Sequence, residues 1–160
     1  GPARAREVLR MRHVALSSAI GPALLNEAIT AHKGRRSKEL ATLQHRMARL
    51  ARAAGDRTLD LQWMVASLEC DKNNVDVAAE LAHLAMELED HETALNALRA
   101  ITLARTEGPM SRAMAFLWQA RIAFQRGEAR RAILWARKAR QEDPNLAEAE
   151  VFLRELGDAG

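Results

Sequence analysis

The chain has 160 residues, of which 48% are hydrophobic and 28% are charged, and its formal net charge is +3. This length and composition indicate one folded domain and exclude a disordered chain; no apolar run reaches the roughly 18 residues of a membrane helix. Alanine, leucine, arginine and glutamate dominate and tyrosine is absent, which excludes an all-β fold and favours an all-helical one. The single cysteine, Cys70, excludes an internal disulfide and any multi-cysteine metal site.

The periodicity of the apolar residues predicts nine helices. The predicted ranges are 3–19, 22–33, 36–54, 57–70, 75–88, 91–105, 111–126, 129–142 and 146–156. Ser111 is predicted to be an N-cap, and Gly55 and Gly127 fall just past helix ends, where a positive φ is often needed. The opening Gly1-Pro2 is typical of the remnant of a cleaved affinity tag, so we expect the natural start to differ and leave open whether the sequence belongs to a longer protein.

A five-residue string recurs along the chain. Residues 47–51, 81–85 and 119–123 share the pattern x-Ala-x-[Leu/Ile]-Ala, and they begin 34 and 38 residues apart. Each string is followed by a turn and then by a second helical segment. The longer interval is explained by the insertion at 106–109, which ends in Gly-Pro, a strong helix breaker. The alanines at i and i+3 predict a stripe along which a neighbouring helix packs closely.

These strings and turns resemble the tetratricopeptide repeat (TPR) family. The match is strongest in residues 113–146, where Ala120, Gly127, Ala132 and Pro144 stand at the positions of the family's small residues, turn glycine and closing proline. The resemblance implies a right-handed α-solenoid of antiparallel helix pairs that serves as a protein-binding platform. The alanine- and arginine-rich composition is also similar to that of TPR segments of large bacterial polarity and gliding-motility adaptors.

The resemblance divides the chain into an N-terminal part and a solenoid. Residues 1–36 are predicted to form N-terminal helices, of which 22–33 is compatible with the second half of a preceding repeat. Residues 37–157 are predicted to hold repeats near 41–74, 75–108 and 113–146 and a capping helix at 146–157. The departures from the family pattern are Asp60 and Ser67, which replace alanines, and Glu89, which replaces the turn glycine. In the cap, Phe152 is predicted to lie on the apolar face.

Charge is distributed unevenly along the sequence. The net charge is +8 over residues 1–57, −7 over residues 58–109 and +2 over residues 110–160. In a solenoid this asymmetry predicts a basic end and an acidic middle, which would steer a partner with complementary patches. The alternative is that these charges only solvate the surface.

By the family resemblance, the first helix of each repeat would line a concave groove. The predicted partner-binding residues are His45, Arg49 and Arg52 in the first repeat, His83, Met86 and Glu87 in the second, and Leu117, Arg121, Phe124 and Gln125 in the third. Arginines bind carboxylates through paired hydrogen bonds, and Leu117 and Phe124 would serve as apolar anchors. The predicted partner is therefore a protein or peptide with acidic and apolar features.

No catalytic constellation, metal-ligand spacing or cofactor motif is found, so we expect no enzyme activity, no metal and no cofactor. The three tryptophans lie at helical spacings and are expected to be packing residues. Nucleic acid is an unlikely partner because the basic stretch 33–52 has no aromatic residue for base stacking. The predicted function is that of a cytoplasmic, non-enzymatic adaptor or scaffold without membrane insertion. The alternative is a structural spacer or self-assembling segment of a larger repeat protein.

Overall fold

The computed structural model describes residues 20–31 and 37–157. Within these ranges the fold is all-α, with eight helices and no strand. The helices are α1 (Ile20–Thr30), α2 (Lys38–Ala53), α3 (Arg57–Cys70), α4 (Val75–Glu87), α5 (His91–Leu103), α6 (Arg112–Gln125), α7 (Ala129–Glu142) and α8 (Ala147–Glu155). The predicted all-helical class is thereby confirmed, and eight of the nine predicted helices are present with small shifts of their ends. The predicted helix 3–19 lies outside the described residues.

The described residues divide into two compact units, unit 1, which ends at Val77, and unit 2, which begins at Ala78. In unit 1, α2 and α3 form an antiparallel pair. The Ser67 hydroxyl, near the end of α3, donates a buried hydrogen bond of 2.7 Å to the Ala41 carbonyl near the start of α2. At the other end of the pair, Arg52 contacts Asp60. Helix α1 packs on this pair through a core of Leu25, Ala28, Leu43 and Met47, bordered by Trp63.

Unit 2 is organised around the antiparallel pair α6 and α7. Helix α8 lies against both members of this pair, because Ala149 is buried with Leu117 and Ala139, and Leu153 is buried with Ala120 and Ala136. Helix α5 packs on α6 from another side.

The alanine stripe is buried as predicted, since Ala48, Ala82 and Ala120 are all 0% exposed.

The turn after the repeated string has the same backbone conformation three times. Gly55 and Gly127 have φ angles of 77° and 78°, and Glu89 adopts φ 58° at the equivalent position. In each turn the backbone N–H of the next residue donates a hydrogen bond of 2.9 Å to the carbonyl of the residue five positions before it. The sequence register therefore locates a left-handed turn correctly even where glutamate replaces glycine.

Side-chain caps account for the sharp starts of several helices. The oxygens of Ser37, Asp56 and Asp90 accept from backbone N–H groups in the first turns of α2, α3 and α5. Ser111 does so for α6, where its hydroxyl accepts from Met114 N at 3.1 Å, which confirms the predicted N-cap. Asn74 accepts from Val77 N in the same way at the start of α4.

Candidate partner-binding surfaces

The predicted binding residues of unit 1 share one face of α2. His45 is half-buried, and Arg49 and Arg52 are exposed, at intervals of four and three residues. The Arg52 guanidinium is engaged within the unit, since its Nε donates to Asp60 Oδ2 at 3.1 Å. Arg52 is consequently a structural partner of a buried carboxylate as well as a surface cation.

One of the three predicted residues on α4, His83, forms an aromatic contact. The imidazole of His83 on α4 meets the Trp118 ring on α6 edge to face, with centroids 4.7 Å apart and planes at 85°. Met86 is half-buried and Glu87 is exposed on the same helix. Trp118 itself is half-buried, as expected for a packing residue, and it was not among the predicted binding residues.

The prediction for Leu117 is wrong. Its side chain is 0% exposed and lies in a cluster with Ala139 and Ala149, so it is unavailable to a partner. The physical reason is helix α8, which covers this side of α6. The apolar residues predicted for this helix are buried against α6 and α7, and Leu117, the proposed anchor, lies beneath them.

The remaining predicted residues of α6 stay at the surface. Phe124 is 53% exposed, and its ring meets Phe152 edge to face at 6.2 Å. Arg121 lies 3.5 Å from Glu148 of α8, with both side chains substantially exposed. Gln125 is exposed. Phe124 is thus the apolar residue of the predicted set that remains accessible on this helix.

A surface that the sequence analysis missed lies on α7. Its 14 residues include five cations and one carboxylate, a net charge of +4. Leu134 is 59% exposed among these cations. Leu134 and Trp135 lie three and four residues after Arg131, and Lys138 lies four and three residues after them, so these four residues share a face. We call this face, together with Arg137 and Gln141, the α7 face.

The α7 face contains an aromatic stack covered by a cation. The Trp135 ring lies nearly parallel to Phe116 of α6, with centroids 5.8 Å apart and planes at 19°. The Lys138 ammonium lies over both rings, 4.7 Å from the Trp135 centroid and 5.9 Å from that of Phe116. Such cation–π contacts hold the lysine at a defined place on the surface.

A depression of about 340 Å³ occupies the α7 face. It is lined by Arg131, Leu134, Trp135, Arg137, Lys138 and Gln141. The lining holds three cations and no carboxylate, and Arg131 is paired with Glu128 outside the lining. The depression therefore has an excess of positive charge beside an apolar floor. An anionic group next to an apolar side chain is the ligand chemistry that such a lining favours.

The α7 face is not apparent from the charge distribution given above, because the net charge was summed over a segment much longer than one helix. Residues 110–160 have a net charge of only +2, since the acids of the last helix and its flanks cancel the cations of α7. A window of one helix, 129–142, would have exposed the excess of cations. Leu134 also gives a signal, because it lies among charged residues on a helix whose buried positions are the alanines at 132, 136 and 139.

Within the described ranges, no group of three or more histidine, cysteine, aspartate or glutamate side chains is arranged to hold a metal ion. The same ranges contain no helix with the length and apolar character required to span a bilayer. No known protein family and no curated protein sequence gives a significant match to this chain.

Proposed function

We propose that the chain is a non-enzymatic, TPR-like protein-binding module whose α7 face docks an acidic segment of a partner protein. The observation that carries this proposal is the exposed Leu134 beside a depression lined by three cations and no carboxylate. An apolar side chain of the partner would pack on Leu134 and Trp135. Carboxylates next to it would face Arg131, Arg137 and Lys138.

A protein segment suits this surface better than a nucleic acid. Base stacking requires an open aromatic face, whereas Trp135 already engages both Phe116 and Lys138. An aliphatic side chain such as Leu134 contributes to a protein interface through apolar burial but offers little to a base or a phosphate. The positive charge would attract a nucleic acid as well as an acidic protein segment. The exposed Leu134 is therefore the feature that favours a protein partner.

The face of α6 that carries Arg121 and Phe124 is the second candidate surface. It is supported by the 53% exposure of the Phe124 ring, which is the kind of aromatic anchor found at the centre of interfaces. Its charge is less favourable, because its predicted cation, Arg121, is paired with Glu148, whereas the α7 face has two cations in addition to Arg131, which is paired with Glu128. The two candidate surfaces predict that different substitutions will weaken partner binding in the same experiment.

The test is an NMR titration of ¹⁵N-labelled protein with a 12-residue peptide that carries glutamates on both sides of one leucine. We expect shifts of the Trp135 indole N–H and of α7 amides, and binding that weakens as salt is raised. Leu134→Ser should weaken binding about tenfold at every salt concentration. Lys138→Glu should weaken it mainly at low salt.

Phe124→Ser is the matched control, since it also removes an exposed apolar side chain but on another helix. Binding that survives Leu134→Ser and is lost in Phe124→Ser would place the partner on α6 and overturn the α7 assignment. A peptide with lysines in place of the glutamates should not bind. Tighter binding of a twelve-nucleotide single strand than of the acidic peptide would contradict a protein partner.

A further inference from the structure

Gln119 is a polar residue at a position that is otherwise apolar in this chain. It opens the third copy of the repeated string, where the first two copies have Met47 and Leu81, and all three side chains are buried. Gln119 is 2% exposed, and its amide nitrogen donates to Ala115 O, in its own helix, at 3.3 Å. A carboxamide has two N–H donors and a carbonyl acceptor, so one long hydrogen bond leaves most of its capacity for another group.

The Gln119 side chain lines a second cavity in unit 2, of about 230 Å³, between α5, α6 and α7. Its lining includes Leu95 and Arg99 of α5, Gln119 and Ile122 of α6, and Arg131 and Trp135 of α7. The cavity therefore combines a buried amide and guanidinium groups with apolar surface. It is smaller than the roughly 300–1,000 Å³ of sites for drug-sized ligands, which suits a single terminal residue.

One of the cations that line this cavity is not paired with a carboxylate. Glu92 is paired with Arg126, and Glu128 lies 3.2 Å from Arg131, so both carboxylates of the lining are engaged. The Arg99 side chain forms no ion pair with any residue in the described ranges. An incoming carboxylate would meet Arg99 without displacing an existing partner.

We propose that this cavity binds a carboxylate carried on a branched aliphatic group, as at the C-terminus of a peptide that ends in leucine. The carboxylate accepts hydrogen bonds from the Arg99 guanidinium and from the free N–H of Gln119. The aliphatic group packs against Leu95, Ile122 and Trp135. The cavity shares Arg131 and Trp135 with the depression on the α7 face, but Arg99 and Gln119 line only the cavity and Leu134 lines only the depression, so the two sites can be tested separately.

The experiment compares four probes by NMR titration: N-acetyl-leucine, N-acetyl-leucinamide, and the peptide acetyl-Ala-Ala-Leu with a free or an amidated C-terminus. We expect the two carboxylates to shift the Gln119 side-chain amide and the Trp135 indole N–H. The amides should bind at least tenfold more weakly, since they lack the charge that Arg99 recognises. Tighter binding of the free peptide than of N-acetyl-leucine identifies a peptide terminus as the source, and equal binding identifies a small carboxylate.

Two variants test the assignment within the protein. Gln119→Met installs the residue found at the equivalent position 47, so it should fold with an equal or higher melting temperature and lose at least tenfold in affinity. Arg99→Gln removes the cation and should have a similar effect, whereas Arg105→Gln, an exposed cation outside the cavity, should bind as the wild type does.

The proposal is overturned if amide and carboxylate probes bind equally, or if folded Gln119→Met and Arg99→Gln proteins both retain wild-type affinity. Inorganic phosphate that binds as tightly as N-acetyl-leucine would also overturn it, because the aliphatic contacts would then contribute nothing. Because Trp135 lines both spaces, its indole N–H does not separate this site from the α7 face; the Gln119 side-chain amide and the Gln119→Met and Arg99→Gln variants do. Leu134 does not line this cavity, so Leu134→Ser should leave probe binding unchanged.

Discussion

Arg52 and Asp60 form an ion pair in which one partner is buried and the other reaches the surface. Asp60 is 2% exposed, whereas the Arg52 side chain is 46% exposed and its Nε donates to Asp60 Oδ2 at 3.1 Å. The second carboxylate oxygen, Asp60 Oδ1, has no hydrogen-bond partner. Asp60 stands where the other repeats have Ala94 and Ala132, which are both fully buried. The acid is thus tolerated at an alanine position because Arg52 reaches over it.

This asymmetry predicts unequal effects of removing the two partners. Arg52→Ala leaves a buried carboxylate unpaired and should lower the free energy of unfolding by about 2–3 kcal/mol, below the ~3–5 kcal/mol of a fully buried pair. Asp60→Ala restores the residue of the other repeats and should cost less than about 1 kcal/mol. The double variant should resemble Asp60→Ala. Urea denaturation of all three measures this, and equal losses for both single variants would contradict the interpretation.

The left-handed conformation of Glu89 predicts a stabilising substitution. A residue with a side chain at positive φ costs about 1–2 kcal/mol, part of which glycine recovers despite its larger entropy in the unfolded chain. Glu89→Gly should therefore raise the free energy of unfolding by about 0.5–1 kcal/mol. Gly127→Ala, at the equivalent turn, should lower it by about 1 kcal/mol, and no steric contact complicates this control because no atom lies within 4 Å of the added Cβ. A destabilised Glu89→Gly protein would show that the glutamate side chain contributes contacts that outweigh the strain.

The helix ends were predictable from local chemistry. Ser111 caps α6, and Gly55 and Gly127 end their helices because each acts through its own backbone neighbourhood. The burial of Leu117 was not predictable from α6 alone, since it depends on Ala149 of α8, which is 32 residues away in sequence. The cavity that contains Gln119 is likewise formed by three helices, and its one signal in the sequence is that glutamine stands where the other copies of the string have Met47 and Leu81.

The capping helix α8 should be held more by Leu153 than by Phe152. Leu153 is 0% exposed beside Ala120 and Ala136, whereas Phe152 is half-buried with its ring against Phe124. Leu153→Ala should cost about 2–5 kcal/mol, and Phe152→Ala should cost about 1–3 kcal/mol, less than the ~3–5 kcal/mol of a fully buried ring. Thermal melts of both variants test the order. A larger loss for Phe152→Ala would mean that α8 docks mainly through its ring.

Arg112 joins three helices of unit 2. Its Nε donates to Thr102 O at 3.2 Å and its Nη2 to Ala104 O at 2.6 Å, at the C-terminal end of α5. Its Nη1 lies 3.4 Å from Glu142, at the end of α7. Carbonyls at the end of a helix have no partner within it, and a cation there also interacts favourably with the helix dipole.

Arg112→Ala should therefore lower the free energy of unfolding by about 2 kcal/mol, because two helix-end carbonyls lose a charged donor. Arg112→Lys should recover only part of this, since one ammonium group cannot reproduce the planar fork that reaches both carbonyls and the carboxylate. The matched control is Arg121→Ala: its ion pair with Glu148 is solvent-exposed, so its removal should change stability by less than about 1 kcal/mol. Denaturant melts at low and high salt separate the two sites, since screening should weaken the Arg121 pair and leave most of the Arg112 contribution. Equal, small effects of Arg112→Ala and Arg121→Ala would show that the end of α5 is held by its apolar contacts instead.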